Sequence, residues 1–226
     1  MMTIVALIAT NSLAVDDQQS FGEQQLSQIL EDRPTMKGML DGNDFINEWV
    51  IRQFDGNCPN HRVHWDTHEP YGGRDSEYQP AYGTTPGSVR VTKSEKISGR
   101  DKWLLLIFEL YNVKNSNDYI ELSRRATAGE IDRKNYSIEC TAFEFHALVR
   151  TQKFFRCHPL PGATAESDPD YTAYLKGVGD FDDYQKMLDS QAPGEYDPRD
   201  YYSKGFDSLQ PGSIASWVAW FNSRDK

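Results

Sequence analysis

The sequence predicts an α+β fold, mainly helical with a small sheet, on three observations. Apolar residues recur at helical offsets through most of the chain, and strand-like alternation is confined to two short stretches near Val63 and Ser88. Between them runs a Gly-, Pro- and Tyr-rich connection, residues 57–87, too irregular to add a large sheet.

The opening residues, MMTIVALIATNSLAVDD, place a short apolar run, Ile4 to Ala9, ahead of Ser12-Leu13-Ala14, small residues of the kind an export peptidase reads. They predict a signal peptide over 1–14, a single mature domain over 15–226, and a secreted or periplasmic location. No basic residue precedes the run, which departs from the usual signal pattern. No window is long and apolar enough to predict a membrane span.

Phe21 to Asp32 (FGEQQLSQILED) carries Phe21, Leu26, Ile29 and Leu30 at helical spacing and stops ahead of Pro34. A second helix is expected from Asn43 or Asp44, with Phe45, Ile46, Trp49, Val50 and Phe54 on one face and Gly56 as its end. Within 57–87 the alternation at Val63 and Trp65 predicts one short strand, and Ser88 to Thr92 (SVRVT) predicts another. After Gly99 a helix begins; Asn117 to Ala128 forms the next, and Asp132 opens a long one running to about Arg156. The tail, 168–226, reads as short amphipathic helices with Asp-rich starts, ending in a docking helix at IASWVAWFNS.

With 226 residues and 38% hydrophobic content the chain can bury one substantial core, and a monomer is expected. A net charge of -10, with no cluster of Lys and Arg among aromatics, argues against nucleic acid as a partner. The expected partner is a protein or a glycan, because tyrosines recur through the tail at 171, 174, 184, 196, 201 and 202 and can stack on sugars. The plainer reading makes them half-buried cover for the helices. Of three cysteines, Cys140 and Cys157 share the long helix about 25 Å apart, so a disulfide would join Cys58 to one of them; three reduced thiols are the other possibility.

The chemistry-bearing anomaly lies in Trp103 to Asn115, WLLLIFELYNVKN. Apolar side chains surround this helix on every side, so Glu109 and Asn112, three residues apart, form a polar notch in a buried rod. On the long helix, Tyr136, Cys140, Phe143, Ala147, Thr151 and Phe154 span an arc of about 140° that also contains Glu144, while His146 and Lys153 point the other way. Glu109 and Glu144 are therefore the candidate site residues, with Asn112 and Tyr111 as candidate binding residues beside them. In the structural alternative both glutamates simply accept hydrogen bonds, with Arg124, Arg125 and Tyr111 as candidate donors.

A strand, a buried helix bearing Glu and a later helix presenting a second inward Glu together resemble the zincin metallopeptidases. Their first helix carries His-Glu-x-x-His, where this chain has Phe108-Glu109-Leu110-Tyr111-Asn112. The similar part covers roughly residues 88–156. The resemblance implies a zincin-like core, but Phe108 cannot bind an ion and Asn112 is a poor zinc ligand, so no metal and no cofactor are expected. Cys58, His61, His64 and His68 have the composition of a ligand cluster without the spacing of a common zinc module. GxSxG and a Gly-rich phosphate loop are both absent. The expectation is an exported binding or accessory protein. The alternative is a peptidase-like hydrolase with Glu109 as general base assisted by Glu144, with or without a metal held through Asn112, Glu144 and a histidine of the 61–68 loop.

Overall fold

The computed structural model describes residues 19–39, 44–57, 63–81, 86–161, 169–192 and 196–210. The expected leader, Cys58, His61 and the expected terminal helix at 214–223 lie outside them. The fold is α+β and mainly helical, with one three-stranded mixed sheet.

Helix α1 (Phe21–Asp32) begins at a capping box: Ser20 Oγ accepts from Glu23 N at 3.2 Å, and Ser20 N donates to Glu23 Oε2 at 2.7 Å. Gly22 lets α1 cross α3 (Asp44–Arg52) closely, since a Cβ there would stand 2.2 Å from the Ile51 carbonyl oxygen. Helix α3 runs on as a π-helical turn, Gln53–Asn57, which carries Phe54 into the core. Between them lies the short α2 (Pro34–Lys37), with Pro at its first position.

The sheet takes β1 (Val63–Trp65), β2 (Ser76–Gln79) and β3 (Gly87–Val91) in the order β1-β3-β2. Strand β3 is central and buried throughout, parallel to β1 and antiparallel to β2. Its buried Arg90 donates from Nε to Asp66 at 2.8 Å, lies 3.7 Å from Glu77 and covers the Tyr71 ring, so an inward cation is neutralised by both flanks. Arg33 is likewise turned inward: its Nε donates to the Val91 carbonyl at 2.8 Å, its guanidinium pairs with Asp32, and it lies 5.1 Å from the centre of the Trp65 ring.

Ser98 caps α4 (Gly99–Lys114), and this helix is the axle of the molecule. A Cβ on Gly99 would meet the Thr35 carbonyl oxygen at 2.0 Å, and Trp103 Nε1 donates to the Met36 carbonyl at 2.9 Å, so the start of α4 is docked on α2. Along it Trp103, Leu106, Ile107 and Leu110 are fully or almost fully buried, packing with α1, α3, the sheet, Phe154 and Phe155. Helix α5 (Ser116–Thr127) follows, then α6 (Arg133–Cys157), capped by Asp132 accepting from Asn135 N at 2.8 Å. The tail adds α7 (Pro169–Lys176), α8 (Phe181–Asp189) and α9 (Pro198–Leu209). Helix α9 lies along α6 and α5, completing a smaller core around Leu122, Ala126, Tyr136 and Cys140. Cys140 is a buried free thiol and Cys157 an exposed one.

Candidate functional site

Glu109 points from α4 toward the edge strand β2, where the Ser76 hydroxyl donates to its Oε1 at 2.6 Å. One turn later on the same helix, Asn112 Nδ2 donates to Oε2 at 3.2 Å. Only 5% of Glu109 is exposed. Burial pushes its carboxyl up to about 8; the Ser76 bond opposes this, and the nearby Glu144 charge adds to it. Glu109 is therefore a neutral acid at pH 7. The Asn112 amide has a second consequence: its Oδ1 is buried without a hydrogen-bond partner.

Glu144 faces the same interior from α6. It is half-buried, and burial raises its pKa against the bond from Tyr202 and the charge of Arg74. Tyr202 OH on α9 donates to Glu144 Oε1 at 2.8 Å and lies 3.1 Å from Tyr119 OH on α5. Tyr196 OH reaches the same oxygen at 3.5 Å. The Arg74 guanidinium sits 4.0 Å from the centre of the Tyr201 ring and 5.2 Å from that of Tyr196, and extends to Glu77 at 4.0 Å. The result is a polar cluster between α4, α6 and β2, with Tyr196 and Tyr202 of the tail on its outer side.

The structure thus brings Glu109, Asn112 and Glu144 together and leaves Tyr111 apart. Tyr111 lies on another side of α4, its ring 5.2 Å from Trp49 and 5.3 Å from Lys114 Nζ. Arg124 and Arg125, the expected donors, serve neither glutamate: Arg124 pairs with Glu121 and Glu130, and Arg125 with Glu139. Their place is taken by Ser76, Tyr196, Tyr202 and Arg74, all distant in sequence. Only the recurrence of tyrosines in the tail signalled any of these.

A donor set of two carboxyls and one amide does not fit zinc. Among the described residues no group of three or more His, Cys, Asp or Glu is placed to hold a metal ion. In the loop cluster, His64 sits on β1 and His68 Nδ1 lies 2.6 Å from Asp66. Among the described residues no helix is long and apolar enough to cross a membrane. Compared with protein-family models, curated proteins and solved structures, the chain gives no match in any of the three.

Proposed function

We propose that the protein is an exported binding or accessory protein, built on a zincin-like core in which the paired glutamates have become a structural node. The observation that carries this reading is the closure of both carboxyls by the chain's own groups. Ser76 and Asn112 take up Glu109, Tyr202 takes up Glu144, and Arg74 lies against the Tyr196 and Tyr201 rings. A hydrolytic base needs a water and a scissile bond within reach, and here both carboxyls are engaged by hydroxyl and amide groups of the chain itself. Export rests on the apolar run at Ile4 to Ala9 and the small residues after it.

One observation favours the hydrolase alternative. A carboxyl pushed up to about 8 by burial is the kind of group that catalytic sites use for proton transfer. A peptide and ester hydrolysis assay, with and without added zinc, separates the two. Wild type and Glu109→Gln are expected to give the same background rate. Turnover by the wild type that disappears in the variant would overturn the binding reading.

A further inference from the structure

We propose that the face formed by α3, α4 and the second half of α6 is a binding surface for an acidic polysaccharide, the sugar rings lying on a strip of aromatic side chains and the carboxylates on the cations beside it. The proposal rests on the reading of the protein as a binding module and names its ligand class.

His146 and Arg150 lie on the exposed side of α6, and at further four-residue steps come the buried Phe154 and, at the cap, the half-buried His158. Near the start of this series, Phe145, Val149 and Phe181 line a recess of about 440 Å³ with His146 and Arg150 among its polar walls. Toward the end of the series the aromatic rings run on without a break. His158 stacks on Phe45 at 3.7 Å, Phe154 lies 4.9 Å from Trp49, and Trp49 lies 5.2 Å from Tyr111. Phe45 remains 39% exposed, and Trp49, Tyr111 and His158 are half-buried, so part of this aromatic strip reaches solvent, with Lys114 over the Trp49 and Tyr111 rings.

Charge selects the ligand. The chain as a whole carries -10, yet from Phe145 to Ala165 there is no acidic residue, while Arg150, Lys153 and Arg156 all occur and are exposed; on α3, Asp44 and Glu48 are exposed carboxylates next to Phe45 and Trp49. Lys114 Nζ stands 5.3 Å from both the Trp49 and the Tyr111 ring centres. Arg150 donates to Asn115 Oδ1 at 3.2 Å, which holds it beside Tyr111 with further N–H groups to offer. One acidic residue, Asp180, enters the recess, and it is engaged in capping α8. The strip is built mostly from helices, whose interior backbone groups are already bonded. An extended acidic peptide would find no strand edge to pair with here, whereas a saccharide needs only ring faces and side-chain donors.

The test is calorimetric titration at low salt with oligogalacturonate, a neutral cello-oligosaccharide, polyglutamate and polyphosphate, with chain-end release measured in parallel. Wild type is expected to bind oligogalacturonate in preference to the other three. Arg150→Gln and Phe45→Ala, both at exposed positions, are each expected to weaken binding about tenfold, the loss of one charge-assisted or stacking contact, with unchanged melting temperature. Should either variant be unstable, Lys153→Gln together with Arg156→Gln tests the charge requirement separately. No oligogalacturonate binding, equal binding by wild type and variants, or equal binding of polyglutamate or polyphosphate would overturn the proposal. Binding at the strip accompanied by chain cleavage would leave the surface standing and overturn the non-catalytic reading.

Discussion

The Ser76 hydroxyl donates to Glu109 Oε1 at 2.6 Å, tying an edge strand of the sheet to the largely buried helix α4. A neutral acid can sit at this junction only while it keeps its proton. The folded pKa of about 8 lies above the ordinary value of 4.5, so the native state binds one more proton than the unfolded state between those limits. Its contribution to stability is full below pH 4.5 and falls as pH rises toward 8, by a few kcal/mol in all. Glu144 shifts in the same direction. Chemical denaturation across pH 5 to 8 is expected to show this loss, and Glu109→Gln, which mimics the protonated acid, is expected to flatten much of it. A wild-type profile as flat as that of the variant would show Glu109 to be charged and solvated.

Tyr202→Phe removes the hydroxyl that Glu144 accepts from and breaks the contact with Tyr119. A destabilisation of about 1–3 kcal/mol is expected, because the remaining groups stay enclosed without their partner. Urea unfolding of the variant measures it directly.

Arg33 is 1% exposed and holds the Val91 carbonyl, Asp32 and the Trp65 ring at once. Arg33→Met leaves the Asp32 carboxylate with only Trp65 and Lys93 and removes both guanidinium bonds to the Val91 carbonyl, and is expected to cost about 3 kcal/mol. Arg33→Lys should recover little of this, because an ammonium cannot reproduce the fork. Thermal melting of the three proteins decides it.

Gly99→Ala drives a methyl group into the Thr35 carbonyl oxygen, where a Cβ would stand at 2.0 Å. Backbone cannot yield as a side-chain tip can, so about 1–3 kcal/mol of destabilisation is expected despite alanine's better helix propensity. Gly38→Ala, with open space around it, serves as the comparison and is expected to stay within about 0.5 kcal/mol.

Cys157 is exposed and Cys140 buried, its thiol pushed up by burial. In the native protein an alkylating reagent is expected to label Cys157 and spare Cys140, with both labelled after unfolding. Peptide mapping resolves the two sites.

Local patterns made much of the fold legible. Phe21–Asp32 is helical over the span its apolar spacing predicts, and Gly99, Asp132 and the alternation at Val63 and Ser88 placed the remaining central elements within a residue or two. Strand β2 was hidden inside the irregular region because Ser76-Glu77-Tyr78-Gln79 has no apolar alternation. Long-range bonds hold it instead, from Ser76 to Glu109 and between Tyr78 and Ser116. The inward turn of Glu109 and Glu144 could be derived from helical periodicity. Their donors could not, because Ser76 is 33 residues away from Glu109 and Tyr202 is 58 from Glu144. Arg124 and Arg125 looked suitable by charge alone, but acidic residues on α5, on α6 and in the turn between them capture both.

Helix α9 is near the end of the chain, while the helices it seals are complete well before it. During synthesis α4 and α6 leave the ribosome first, and the face carrying Glu144 waits uncapped until Tyr196 and Tyr202 emerge. Translation that halts before residue 196 would therefore release a nascent chain whose acidic interior lies open to water and to chaperones, making α9 the latch on which completion of this part of the fold depends.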